Sequence, residues 1–180
     1  KDQGSILGAI KRLVTGESLF LNHFTPSGGP GEVYFGTALS GDMMEYNLNG
    51  PGIMVQGGSY VASSPSVDMD IQWQGFGKAL FSGESMFLIR LSGQGPVILN
   101  SFGAIYPIQV NGEYIVDTGH IVAFEETLNY EVSKAGNSWL SSILGGEGLV
   151  CKFHGQGTVW CQSHNAGSFG ASLGPNLKPR

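Results

Sequence analysis

Charged residues are scarce in this chain of 180 amino acids, and that scarcity narrows its possible functions. Only 13% of the residues are Asp, Glu, Lys or Arg, about half of the roughly 25% usual for soluble domains. With 9 Lys and Arg against 14 Asp and Glu, the net charge of −5 argues against a surface that binds nucleic-acid phosphates. Because interface centres are depleted in charge, a charge-poor surface indicates either a cover of small polar residues or burial between subunits.

Long apolar runs and a secretory signal are also missing. No stretch approaches the ~18 consecutive apolar residues of a membrane-spanning helix, so we expect no transmembrane segment. No basic start is followed by an apolar segment and a small-residue cleavage site. The sequence begins at Lys1 without a Met, and whether a preceding segment is missing, disordered or processed stays open. The composition favours a cytoplasmic bacterial or organellar protein.

The two cysteines, Cys151 and Cys161, are too few for a disulfide framework and lack the CxxC spacing of structural zinc sites. Residues 149–154 and 159–161 alternate with the period of a strand, and the Gly-Gln-Gly at 155–157 predicts a hairpin loop between them. Such a hairpin would place Cys151 opposite Cys161, where a cross-strand disulfide is geometrically conceivable. We favour the other interpretation, two buried thiols that act as small apolar core residues.

Glycine, in contrast, is abundant at 29 residues, and it marks an internal repeat. The stretch Gly-Glu-Ser-Leu-Phe-Leu at 16–21 is matched at 83–88 and more loosely at 146–150. A glycine-rich segment that suits a hairpin loop follows each stretch, at residues 28–31, 93–95 and 155–157. When the last two stretches are aligned, the cysteines take the places of Ile89 and Leu99, which supports their assignment to the core.

A second module repeats at an offset of 61 residues: 55–62 aligns with 116–123, and the alternating stretches 67–71 and 128–132 follow. A matching module should precede the first glycine–glutamate stretch, but residues 1–15 are too few to hold it. The chain is therefore predicted to be one β domain with a polar tail. The predicted ranges are 1–165 for the domain, divided at about 1–47, 48–110 and 111–165, and 166–180 for the tail.

Strands are predicted throughout, because alternating stretches recur between turn residues at intervals typical of a β sandwich or barrel. They lie at approximately 17–24, 32–36, 42–48, 52–56, 59–63, 67–73, 85–92, 97–101, 104–110, 113–117, 120–125, 128–134, 148–154 and 158–163. Helical signal is limited to three short apolar turns at 6–14, 76–81 and 138–144. These turns either cover the ends of a barrel or contact a membrane or partner. We expect an all-β protein with only short helical turns.

Several stretches together resemble one protein family. The motifs are GESLFL at 16–21, VQGGSYVAS at 55–63, WQG at 73–75, LFSGE at 80–84, VDTGHIVAF at 116–124 and GEGLVC at 146–151. They are similar to the mitochondrial-biogenesis ("altered inheritance of mitochondria") family and its bacterial relatives, over about residues 4–165. The resemblance implies a double-stranded β-helix or jelly-roll-like barrel or sandwich, grouped with the fold of the tryptophan RNA-binding attenuation protein, that assembles as trimers or rings. It implies no catalytic residues, because the family has no established activity.

The polar residues form no recognisable catalytic or metal-binding motif. The histidines are His23, His120, His154 and His164, and no HxH or HExxH spacing occurs. A metal site in a barrel would need two or three converging imidazoles and a carboxylate. The best acid–base cluster is His120 beside Asp117, with the glutamates at 125–126 nearby, although a His next to a turn carboxylate is a common structural arrangement.

Other polar groups have ordinary explanations. Asp68 and Asp70 fall on one face of one predicted strand, whereas glycosidase carboxylates face each other across a cleft. Three cationic residues occupy corresponding positions of the repeats: His23, Arg90 and Lys152. They form either a three-fold cationic set or ordinary solvent-facing side chains. No nucleophile elbow or phosphate-binding loop appears. We predict no catalytic, cofactor-binding or metal-binding residue and no cofactor.

The leading hypothesis is a non-enzymatic, oligomeric β scaffold or protein-interaction module. We expect a homo-oligomer, a trimer or larger ring, with a protein or a peripheral membrane surface as partner. The first alternative is an RNA-binding module, suggested by the fold kinship and by aromatic residues that could stack on bases: Tyr34, Phe35, Trp73 and Trp160. The acidic net charge counts against it. The second alternative is a small-ligand binder or metal-dependent enzyme that uses the barrel interior.

Overall fold

Two antiparallel sheets and one short helix appear in the computed structural model, which describes residues 21–73, 87–134 and 149–178. The strands of these residues are β1 (Met43–Leu48), β2 (Ile53–Gln56), β3 (Tyr60–Ser63), β4 (Val67–Trp73), β5 (Phe87–Gly93), β6 (Gly95–Asn100), β7 (Ile105–Asp117), β8 (Ile121–Glu125), β9 (Asn129–Lys134) and β10 (Leu149–Gln162). The helix α1 (Ala166–Leu173) follows the last strand. The predicted all-β class is confirmed.

The larger sheet contains seven strands in the order β4-β5-β2-β8-β10-β7, with β9 also paired to β10. The smaller sheet has the order β1-β6-β3. At one end of the larger sheet, β7 pairs with β10 over its whole length, from Ile105 opposite Gln162 to Asp117 opposite Val150. The curled sheets form a half-barrel.

The middle strands of the larger sheet form the core. Residues 53–55 of β2 and 121–124 of β8 are buried in succession, because each of these strands lies between two others and both of its faces are covered. Cys151 and Cys161 of β10 are 0% and 1% exposed and are not joined in a disulfide. Their predicted role as buried core residues is confirmed.

The hairpin loops predicted at 93–95 and 155–157 are wrong. Gly93 and Gly155 do have positive φ angles, 103° and 117°, but the chain bends at each glycine without reversing. At Gly93 the chain leaves the larger sheet and enters the smaller one as β6. At Gly155, β10 continues and exchanges its partner β9 for β8. In both places a glycine, which adopts a positive φ without steric cost, lies where the strand passes from one partner to the next.

Because β10 is continuous, the predicted strands 148–154 and 158–163 are one strand, and 104–110 and 113–117 are likewise joined in β7. Cys161 follows Cys151 by ten residues on β10, a distance of roughly 30 Å along an extended strand. The predicted opposition of the two thiols is therefore wrong, and a disulfide between them is geometrically impossible.

The chain divides into two compact units, residues 1–34 and 35–180, and every described strand belongs to the second. Residues 21–24 and 32–36, the described parts of two predicted strands, form none, so the segment 28–31 joins no hairpin. Alternation alone does not produce a strand here: no described segment pairs with these residues, and Leu21, Phe24 and Val33 are 49%, 66% and 45% exposed.

The C-terminal tail, expected to be merely polar, contains α1. Asn165 caps this helix by accepting a hydrogen bond from the backbone N–H of Ser168 at 3.0 Å. The ring of Phe169 on α1 packs against Phe102, with ring centroids 5.3 Å apart. The predicted apolar turns at 6–14, 76–81 and 138–144, and most of the glycine–glutamate stretches, lie outside the described residues.

The strand pairings of residues 43–100 (the first block) recur in residues 105–162 (the second block), shifted by 61 or 62 positions. The counterparts of β1 and β2 are the two ends of β7; those of β3, β4 and β5–β6 are β8, β9 and β10. The short 3-10 turns Gly57–Ser59 and Thr118–His120 match too. In each, the side chain of the residue before the turn accepts a hydrogen bond from the backbone N–H of the turn's second residue, at 2.7 and 2.8 Å. The unit boundaries expected from the sequence stay predictions, and β7 runs across the one at 110–111.

Candidate functional site

The groups of the expected acid–base cluster are engaged in separate structural contacts. Nδ1 of His120 lies 2.8 Å from the carbonyl oxygen of Gln162, the geometry of an imidazole N–H that donates to a carbonyl. The three carboxylates have other donors: Asp117 accepts from the N–H of Gly119, Glu125 from the N–H of Thr158, and Glu126 from Arg90. These contacts hold turns and strands together, as in the structural interpretation of His120.

Two members of the expected three-fold cationic set, Arg90 and Lys152, each face a carboxylate. Nε and Nη2 of Arg90 donate to the two oxygens of Glu126 at 2.6 and 3.0 Å. Hydrogen bonding from this guanidinium lowers the pKa of Glu126. Nζ of Lys152 lies 3.2 Å from Oε1 of Glu113. These surface ion pairs fit solvent-facing side chains and leave neither Arg90 nor Lys152 as an unpaired charge for an anion.

Within the three described ranges, no group of three or more His, Cys, Asp and Glu residues is placed to hold a metal ion. Asp68 and Asp70 are both exposed on β4, in agreement with a shared solvent face. His154 is partly exposed, with Nδ1 3.7 Å from Oε2 of Glu113. The part of the chain described by the structure contains no helix long and apolar enough to cross a membrane.

The aromatic residues predicted to stack on bases are not equally accessible. Trp160 is only 9% exposed and packs edge-on against Tyr46, with ring centroids 5.2 Å apart, so its expected stacking role is wrong. Phe35 is 45% exposed. Tyr34 is 88% exposed and donates its hydroxyl hydrogen to Glu32 at 2.8 Å. Burial therefore removes Trp160 from the stacking candidates, Tyr34 and Phe35 stay accessible, and the side chain of Trp73 lies outside the described part of the structure.

Burial of the two thiols predicts low chemical reactivity. Burial raises the pKa of Cys151 to about 12 and that of Cys161 to about 11, so almost no thiolate exists at pH 8. We expect neither thiol to react with an aromatic disulfide reagent in the native protein, and both to react after unfolding in guanidinium chloride. Absorbance of the released thiolate counts them. A native count above zero would contradict their burial, and a count of zero after unfolding would indicate a disulfide.

The outer edge of β7 is a different kind of candidate surface, formed by backbone groups and apolar side chains. This strand is 13 residues long and ends the larger sheet, and among the described residues no strand pairs with its outer edge. Tyr106, Tyr114 and Ile115 on β7 are 43%, 42% and 53% exposed. A long edge strand with exposed apolar side chains is a template for pairing with another chain. Pro107 lacks a backbone N–H, but it protects only the first part of the edge.

Comparison with known proteins identifies the family of the chain. The family model described as mitochondrial biogenesis AIM24 matches residues 1–164. An uncharacterized protein of Streptococcus pyogenes serotype M6 is 32% identical over 173 residues, which cover 94% of this chain and 69% of that protein. The crystal structure of a Streptococcus pyogenes protein, a structural genomics target, has a TM-score of 0.73 and 26% identity, covering 98% of this chain and 79% of that chain. The chain therefore belongs to the mitochondrial biogenesis AIM24 family.

Proposed function

We propose that this protein is an oligomeric β scaffold that acts through its assembled surface and has no catalytic activity of its own. The observation that carries the proposal is the outer edge of β7, where backbone groups without a strand partner among the described residues lie beside the exposed Tyr106, Tyr114 and Ile115. A partner that covers this edge satisfies the backbone groups and buries apolar area at about 25 cal/mol per Å².

Two further observations support the proposal. The scarcity of charge fits a surface partly buried between subunits, since charged residues are depleted at interface centres. The candidate catalytic groups are engaged in hydrogen bonds and ion pairs of the fold, and neither relative described above has a name that indicates an enzyme. We also propose the cytoplasm as its compartment, because both cysteines are unpaired and the relatives are bacterial.

Light scattering coupled to size-exclusion chromatography tests the scaffold proposal. Across a dilution series into the low micromolar range, the intact protein is expected to elute as one defined species, a trimer or larger. Because the proposed contact is apolar, high salt should leave the molar mass unchanged. A strict monomer at micromolar concentration would overturn the proposal.

A further inference from the structure

Among the residues that the structure describes, one junction joins the first block to the second block within the larger sheet. At this junction β2 of the first block pairs with β8 of the second, and the paired residues are Ile53 with Glu125, Met54 with Phe124 and Val55 with Ala123. The apolar members are buried: none of these five is more than 5% exposed. The junction therefore shows that pairing between the two blocks buries the apolar side chains of both strands.

Each half of this junction occurs a second time, where one of its edges has no strand partner within the described ranges. The counterpart of β2, found 61 residues later, is the segment 114–117 of β7. The counterpart of β8, found 61 residues earlier, is β3. Among the residues in the structure's described ranges, β7 pairs only with β10 and β3 only with β6, so each lacks the neighbour that the junction supplies elsewhere.

The burial of counterpart side chains differs accordingly. Met54 is 5% exposed at the junction, whereas its counterpart Ile115 is 53% exposed. Ile53 is fully buried, whereas its counterpart Tyr114 is 42% exposed. Every residue of β3 is only partly buried, although its counterpart in β8, residues 121–124, is buried throughout. Both edges thus carry side chains that the same arrangement buries at the junction.

We propose that β7 of one copy of this chain pairs with β3 of a second copy, in the register of the β2–β8 junction. Shifting the junction by 61 residues gives the pairs Tyr114 with Ser64, Ile115 with Ser63 and Val116 with Ala62. The pairing stops at the next residue, because Pro65 has no N–H to replace the one that Glu126 donates to Gly52 at the junction.

A second copy of this chain fits the two edges because every copy carries both halves of the junction. None of the six residues in the proposed pairs is charged, so the contact buries no ionised side chain. Since the two edges are different surfaces, the contact is heterologous, and it produces a ring where the rotation between copies closes. This inference rests on the proposed oligomeric function and assigns the surfaces that build the oligomer.

Disulfide trapping between copies tests the register. Two chains with different affinity tags are co-expressed, one with Ser63→Cys and the other with Ile115→Cys. Opposite residues of paired strands have Cβ atoms about 4.5–5.5 Å apart, near the spacing that a disulfide requires. We expect an oxidation-dependent link between the two tagged chains, with residues 63 and 115 joined in the mass spectrum of the digest. The two native cysteines are buried, so we expect them to form no links of their own.

The matched control for trapping replaces Ile115→Cys by Gln109→Cys, which is also an exposed position of β7 but lies roughly 20 Å further along the strand. No link to residue 63 is expected from it. Equal linking from residues 109 and 115, or no link from residue 115, would overturn the proposed register.

A charged substitution tests the same edge without a new cysteine. Ile115→Arg places a charge at the centre of the proposed contact and is expected to convert the oligomer to monomer, with an unchanged circular dichroism spectrum because residue 115 is exposed within one chain. The control Leu173→Arg, at an exposed position of α1, should leave the molar mass unchanged. An oligomer that survives Ile115→Arg and forms no link between residues 63 and 115 would overturn this inference and leave the scaffold proposal standing, whereas a monomeric parent protein would overturn both.

Discussion

Replacing Phe124 with alanine is expected to lower the free energy of unfolding by about 3–5 kcal/mol. Phe124 lies on β8 in the middle of the larger sheet and is 0% exposed. Its ring packs edge-on against Phe153 and Tyr130, with centroids 4.9 and 4.8 Å away. Truncation removes the buried ring and its two aromatic contacts, and it leaves β10 without the ring that covers it. Because β8 lies between β2 and β10 in the sheet, these strands prevent the cavity from collapsing.

Urea denaturation followed by circular dichroism measures this loss, at one fixed protein concentration so that any assembly contributes equally. Phe169→Ala on α1 is the matched control: Phe169 is 47% exposed and packs against Phe102, so its loss should be below ~1 kcal/mol. If the two variants lose equal stability, β8 does not form the core that the structure shows.

The strands of the repeated module could be predicted from local pattern. Residues 67–71 and 128–132 alternate between apolar and polar side chains, and they form β4 and β9. The placement of Cys151 and Cys161 in the core also followed from the sequence, because their counterparts Ile89 and Leu99 are aliphatic. In each case the signal is local or a direct comparison of aligned residues, so no knowledge of strand partners was needed.

The course of the long strands could not be predicted, because it depends on partners that are distant in sequence. A glycine with positive φ between two alternating stretches is compatible with a hairpin and with a bent strand. At Gly155 the second outcome occurs because β7 continues beside β10 on both sides of the bend, and Gly155 itself lies opposite Gly112. A residue 43 positions away thus decides between the two structures.

The candidate surface was missed for a related reason. Tyr114 and Ile115 alternate like any half-buried strand, and only the end position of β7 in the sheet leaves them exposed. The sequence did contain a usable signal, since aligning Ile115 with Met54 at the offset of 61 pairs two apolar residues of equivalent role.

Replacing Gly93 with alanine is expected to destabilise the protein more than replacing Gly112, although the two backbones are nearly alike. Their φ angles are 103° and 107°, a region that costs an L-residue about 1–3 kcal/mol. A Cβ at Gly112 would meet no atom within 4 Å, whereas a Cβ at Gly93 would lie 2.5 Å from the carbonyl oxygen of Ser66. We expect a loss of about 1–2 kcal/mol for Gly112→Ala and of about 3 kcal/mol or more for Gly93→Ala.

The difference between these two variants isolates the close approach of Gly93 to the chain before β4, because the backbone penalty is common to both and cancels. The backbone N–H of Gln94 donates to the carbonyl oxygen of Ser66, so a side chain at residue 93 would push apart strands joined at the point where the chain passes from the larger to the smaller sheet. Denaturation midpoints of both variants, at the same protein concentration, give the comparison. Equal losses would mean that the strands can separate there without strain, and that the bend at Gly93 is set by backbone conformation alone.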